Sequence, residues 1–166
     1  MSADVRRLAP HESELLRDLR LRALLDAPLA FGSTHARELA RTPEQWQRWA
    51  ADAAAGERQV VFVAEPAAGL ANGFLDHDDR DLVHLFAMWV APEARGAGTG
   101  RALVDAVVAW ASHRGARRLL ASVTEGNDAA ARLYAAAGFV STGVRTPLGH
   151  SGATTLVLER RLGASA

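Results

Sequence analysis

The segment Arg95-Gly96-Ala97-Gly98-Thr99-Gly100 constrains the fold of this chain more than any other. Before it lies the apolar run Leu85-Phe86-Ala87-Met88-Trp89-Val90, which stops at Ala91-Pro92. Proline lacks an N–H and suits a strand end. After it, Leu103, Val107, Trp110 and Ala111 share one helical face, and Gly115 is placed as the C-terminal stop. The glycines therefore sit where a strand hands over to a helix. Without Cβ atoms, such a loop lets backbone N–H groups converge on an anion, and the helix dipole adds about half a positive charge there. Arg95 and Arg101 bring side-chain charge to the same place. A P-loop requires Gly-Lys-Ser/Thr, but Arg101 follows Gly100. A dinucleotide fingerprint counted from Gly96 would need its third glycine at Arg101, so it fails as well.

A chain of 166 residues is read as one domain, residues 1–166, large enough to bury a core without disulfides or metal. The 19 basic and 19 acidic residues cancel. That balance argues against a nucleic-acid partner bound through phosphate neutralisation, and against a polybasic membrane-surface protein. No cysteine is present, which excludes disulfides, thiolate catalysis and cysteine-based zinc sites. Met1-Ser2-Ala3-Asp4-Val5-Arg6 has no apolar signal core, and no run of about 18 apolar residues exists. The expected location is the cytoplasm.

The pattern predicts a strand over Val5–Leu8 and a helix opening at Pro10-His11-Glu12. The apolar face of that helix is Leu15, Leu16, Leu19, Ala23 and Leu24, and Pro28 ends it. Phe31-Gly32-Ser33 is a loop, and a second helix runs from about Thr42, with Pro43 in its first turn, to Gly56. Val60–Ala64 reads as a central strand. Leu70–His77 and Asp81–Val90 read as a hairpin joined across Asp78-Asp79-Arg80. Leu119–Val123, Phe139–Arg145 and Thr154–Arg160 are further strands, and Gly163 to Ala166 is expected to fray. Strands clustered around one βαβ unit imply an α/β fold of the α+β kind: a mixed, mostly antiparallel sheet of six to seven strands with helices on both faces.

A second motif follows the strand Leu119–Val123. Asn127 is a good N-cap for a helix starting at Asp128, and Gly138 ends that helix about three turns on. Tyr134, the only tyrosine, lies one turn after Ala130. Read alone, Asn127 is as readily a cap as a ligand contact, and Tyr134 as readily a packed aromatic as a proton donor. Together the motifs resemble those of the GNAT-type N-acetyltransferases, which use acetyl-CoA. Arg95, Gly98 and Gly100 meet the pattern Arg/Gln-x-x-Gly-x-Gly/Ala. Asn127, Ala130, Leu133, Tyr134, Gly138 and Phe139 fill every fixed place of Asn-x-x-Ala-x-x-Leu-Tyr-x-x-x-Gly-Phe. The resemblance is specific over Leu85–Phe139; Leu21–Thr34, with Ala27–Ser33 inside it, is a looser match to the early substrate-side region of many bacterial members.

That resemblance implies the GNAT acyltransferase fold and acetyl-CoA as co-substrate, with no metal. It places the CoA pyrophosphate on Arg95, Gly96, Ala97, Gly98, Thr99, Gly100 and Arg101. The pantetheine arm would lie along Met88, Trp89 and Val90, with Asn127 and Ala130 beside it and a backbone N–H near Val90 as oxyanion donor. An amine would attack the thioester directly while Tyr134 protonates the departing sulfur. A phenol with pKa near 10 and a thiol near 8.5 are close enough for that transfer. An alkyl amine of pKa about 10.4 is neutral in only about one molecule in 10³ at pH 7.4, a deficit of roughly 4 kcal/mol that a base or water chain must cover. Family members carry a glutamate early on the strand before the glycine loop, where this chain has His84; others use one on the next strand, where Ser122 stands. His84 is the first candidate base and Glu38 the second, with ordered water as a third source. Phe31, Ser33 and Glu38 are expected on the acceptor side, together with the Thr146–Gly152 loop. The acceptor classes left open are polyamine-like, amino-acid-like and antibiotic amines and a protein N-terminus. A homodimer follows from the resemblance only. A module that binds acyl-CoA without catalysis is the rival reading. Asp76–Asp81 is read as a solvated hairpin tip, since it lacks calcium-loop spacing, and Trp46 and Trp49 as packing residues.

Overall fold

The computed structural model describes residues 3–163. Most of the expected frayed end, residues 164–166, lies outside them. Among the described residues, seven strands form one sheet in the order β1-β2-β3-β4-β5-β7-β6. They are β1 (Val5–Arg7), β2 (Gln59–Ala64), β3 (Gly69–Leu75), β4 (Leu82–Val90), β5 (Arg118–Thr124), β6 (Val140–Pro147) and β7 (Thr154–Arg161). Only β4 and β5 pair in parallel; every other pairing is antiparallel. The expected mixed, mostly antiparallel sheet is therefore what forms. β2 is interior rather than central, because the three-residue β1 covers its outer edge. Its residues alternate between two cores: Val60 packs with helix α4 (Thr99–His113), while Val61 and Val63 pack with α1 (Ser13–Asp26) and α3 (Pro43–Ala55). Both faces being covered explains why β2 reads as a continuous apolar run.

The helices begin and end where local chemistry allows. Thr42 and Gln45 form a capping box at the start of α3, with hydrogen bonds of 3.2 and 2.9 Å. Asn127 caps α5 (Asp128–Ala136) by accepting from the Ala130 N–H at 3.2 Å. The first helix starts at Ser13, later than Pro10, because Glu12 turns its carboxylate back. It accepts from the Ala9 N–H at 2.8 Å and from both Nη atoms of Arg6 at 2.8 Å. A short helix, α2 (His35–Leu39), follows the Phe31–Ser33 loop in a stretch to which the sequence pattern assigns no element, since five residues carry no readable period. No helix among the described residues is long and apolar enough to cross a membrane.

The Arg6 hydrogen bonds hold the Glu12 carboxyl down at about 2. A depressed carboxylate contributes stability above its unfolded value near 4.5 and loses it as pH falls toward 2. Glu12→Gln is expected to lose about 1 kcal/mol at neutral pH and little further at about pH 3, read from urea midpoints. A variant as acid-sensitive as the wild type would mean that this carboxylate does not drive the acid limb.

Candidate active site

Strand β4 carries the feature that opens the site. Leu70 faces Trp89 and Asn72 faces Phe86, so Ala71 alone opposes Ala87 and Met88. This is a β-bulge, and Ala87 takes a left-handed φ of 51° within it. Strands β4 and β5 pair only from Leu82–His84 to Arg118–Leu120. Beyond His84 they separate. The Ala91 N–H bonds the Ala68 carbonyl at 2.8 Å. Since successive backbone groups along a strand point in opposite directions, the Val90 N–H and C=O face the gap between β4 and β5. The Val90 carbonyl accepts from Arg95 Nε at 3.0 Å, which leaves the Val90 N–H as the donor turned toward the gap.

Two cavities occupy this gap. The first, of about 590 Å³, lies at the glycine loop. Its walls include Met88, Trp89, Val90, Arg95, Gly96, Gly98, Thr99, Gly100, Arg101, Asn127, Ala130 and Tyr134. Ala97 alone of the expected cofactor residues lies outside this lining. Gly96 and Gly98 take φ of 81° and 84°, and a Cβ on either would enter open space. Gly100 approaches Leu133 so closely that a Cβ would meet it at 3.1 Å. The N–H groups of residues 96–101 have no acceptor among the described residues, and they cluster at the start of α4. Six unengaged donors at a helix N-terminus fit a diphosphate. The residues present thus suit the CoA that the motif implies.

The two arginines do not project free charge. Arg95 is ion-paired with Asp26, whose Oδ2 also accepts from Trp89 Nε1 at 2.9 Å. The Trp89 N–H and the Arg95 guanidinium hold the Asp26 carboxyl below the usual range. Arg101 bonds Asp105 at 2.9 Å and the Ala136 carbonyl at 2.7 Å. Both arginines therefore brace the cradle, tying it to α1 and to the end of α5. Asp26 carries no sequence signal, because its partners lie 63 and 69 residues away.

Tyr134 stands on α5 with its ring edge-on to Phe139, centroids 5.3 Å apart. Burial pushes its phenol above the ordinary value. The match of acidities assumed from free phenol and thiol is thus wider in the folded protein.

The second cavity, of about 610 Å³, opens on the other side of the bulge. His84, Ser33 and Ser122 line it, and Phe31 and Ala30 line both cavities. The His84 ring stacks on Phe74 at 4.7 Å, and its Nε2–H donates to Asp76 Oδ2 at 2.8 Å. That bond holds the Asp76 carboxyl at about 2 and leaves Nδ1 as the basic nitrogen. Asp76 also organises the hairpin tip, accepting from the N–H groups of Asp78 and Asp79. Glu38 lines neither cavity. It is only 3% exposed and ion-paired with Arg41 and, at 3.6 Å, with Arg20. Burial alone would raise its carboxyl, but the Arg41 hydrogen bond and the two positive charges outweigh it and hold it below the usual value. Ser33 Oγ leans toward the same carboxylate without good hydrogen-bond geometry. The segment shared by the two cavities is fastened from both sides. Thr124 Oγ1 donates to the Leu29 carbonyl at 2.6 Å, and His150 Nε2 to the Phe31 carbonyl at 2.6 Å.

This arrangement has counterparts. Residues 20–139 match the model of the acetyltransferase (GNAT) family. An uncharacterized N-acetyltransferase of Mycobacterium tuberculosis is 41% identical over 69 residues, 42% of this chain and 44% of the relative. The match thus spans less than half the length of that relative. A GNAT acetyltransferase from Streptococcus pneumoniae superposes with a TM-score of 0.81 at 23% identity, covering 98% of this chain and 100% of the other. A phosphinothricin acetyltransferase from Sinorhizobium meliloti, in complex with acetyl-CoA, superposes at 0.78 with 22% identity, over 98% and 90% of the two chains. At these identities the likeness speaks for the fold, and the family match extends it to sequence: this chain belongs to the GNAT acetyltransferase family.

Proposed function

We propose that residues 1–166 act as one N-acetyltransferase domain that moves an acetyl group from acetyl-CoA to a primary amine. The observation that carries this reading is the bulged gap between β4 and β5. It joins a cradle of unengaged N–H groups to a cavity bearing a histidine whose basic nitrogen is oriented by a carboxylate. Acetyl-CoA supplies an activated thioester. The N–H groups of residues 96–101 hold its diphosphate, and the Val90 N–H faces the carbonyl oxygen that gains charge during transfer. His84 Nδ1 takes the proton of the incoming amine, with Asp76 fixing the tautomer. The Tyr134 hydroxyl donates to the departing sulfur.

Thermal unfolding with acetyl-CoA, CoA and ATP side by side tests the cradle. A rise with both CoA species and none with ATP is expected; no rise with CoA sinks the reading. His84→Gln is expected to lower acetyl transfer by roughly 10- to 100-fold with the acetyl-CoA rise unchanged. Asp76→Asn should fall between the two, since it loosens the ring without removing it. Wild-type rates in His84→Gln would leave deprotonation to water.

A further inference from the structure

Arg20 occupies a position that an amphipathic helix reserves for apolar residues. It lies four residues after Leu16 and four before Leu24, both fully buried, in the middle of the inward stripe of α1. Only 6% of it is exposed. A buried guanidinium is retained at such a place only when something offsets its desolvation. Glu38 offsets it incompletely. Its carboxylate is ion-paired with Arg41 and stands 3.6 Å from Arg20 Nη2. Two arginines thus share one carboxylate, and the cluster keeps a net positive charge. The Phe31 ring, 5.1 Å from the guanidinium, adds a weak partner. Arg20 Nε and Nη1 are buried and have no hydrogen-bond partner.

The same side chain forms part of the wall of the His84 cavity, where no other described residue carries a fixed charge. A cavity of about 610 Å³ is the size for a small metabolite. Its lining therefore includes His84 and, separately, a fixed cation whose Nε and Nη1 atoms are closed off from solvent and have no partner among the described residues. Donors of this kind are satisfied by an anionic oxygen, and a charge-assisted bond to guanidinium is the strong case. A polyamine or another purely cationic amine would meet Arg20 with like charge.

We infer that the acceptor is an amine that also bears a carboxylate, as a free α-amino acid does, and that Arg20 is the residue that receives this carboxylate. This rests on the acetyltransferase reading and narrows its substrate class. The amine is directed to His84 and the acid to Arg20. A peptide N-terminus, whose α-carboxyl is an amide, is discriminated against, because it leaves the Arg20 donors unmet.

The test uses the wild-type protein, acetyl-CoA and the standard α-amino acids, each beside its α-carboxamide and its decarboxylated amine. CoA release is read as kcat/KM, and thermal unfolding is followed in parallel. The preferred amino acid is expected to exceed its carboxamide by roughly 10²-fold. It should also raise the melting temperature of the CoA-bound protein, where the decarboxylated amine does not. Arg20→Met is expected to erase this preference, and Arg20→Lys to restore part of it, while both keep the acetyl-CoA rise. Equal use of acid and carboxamide by the wild type overturns the inference, whether or not the variants fold. So does an absence of transfer to every acid while acetyl-CoA still stabilises the protein. A wild type that acetyl-CoA does not stabilise removes the acetyltransferase reading itself, which is a separate failure.

Discussion

Tyr134→Phe is expected to slow acetyl transfer by roughly 10²-fold while leaving stabilisation by acetyl-CoA unchanged. The substitution keeps the ring that packs against Phe139 and deletes only the hydroxyl. Because burial raises the phenol, it stays protonated throughout any practical assay range. It therefore always has a proton to offer. A thiol near 8.5 is the weaker base, so complete handover to sulfur is uphill, and much of the benefit comes from hydrogen bonding to the charge that builds there. This is why the expected loss is nearer 10² than 10⁴. The check is CoA release under saturating acetyl-CoA, with the thermal shift measured on the same preparation. An unchanged rate would discard the donor role and favour a protein that holds acyl-CoA without turning it over.

Gly98→Val should abolish most of the acetyl-CoA stabilisation. For the wild type, ligand at about 100 times its Kd contributes roughly 2.7 kcal/mol, or about 5–11 °C. Gly98 sits at φ 84° immediately before α4, and its missing Cβ faces open space. A β-branched residue there is strained and takes up open space in the cavity wall that Gly98 helps to line. Alanine should do less, since its cost is about 1–2 kcal/mol of backbone strain with little blockade. Full retention of the rise in the valine variant would place the diphosphate elsewhere. A collapse of the unliganded melting temperature would instead assign the glycine to folding, and the ligand-dependent difference separates the two.

What the sequence revealed was mostly short-range. Pro43 after Thr42, Asn127 before Asp128, and the proline after β4 each write a boundary in neighbouring residues. The glycine loop and the Asn-to-Phe motif are of the same kind, and they brought the expected residues to one cavity apart from Ala97. The bulge at Ala87 was not legible. Alanine carries no mark for a left-handed φ, and the conformation is imposed by register against β3. The Asp26–Trp89–Arg95 brace spans too much chain to be inferred from spacing. His84 was visible as a strand histidine, but its partner lay in an acidic tip that composition alone assigns to solvent. Arg20 is the instructive case. Its four-residue spacing from Leu16 and Leu24 was readable, yet a single charge in an apolar stripe gains meaning only once its burial and missing partners are seen. Strand β6 shows the opposite limit: Val140 and Val144 remain 67% and 54% exposed, because it is the outer strand and pairs, among the described residues, only with β7.

Ala30 and Phe31 belong to both cavities, and Thr124 and His150 fasten their segment to the end of β5 and to the loop between β6 and β7. If the acceptor steadies that segment and thereby tightens acetyl-CoA binding, acetyl-CoA must tighten acceptor binding by the same factor. The chain would then bind each ligand weakly alone and both firmly together. In a cell, its occupancy would follow the product of two concentrations rather than either one.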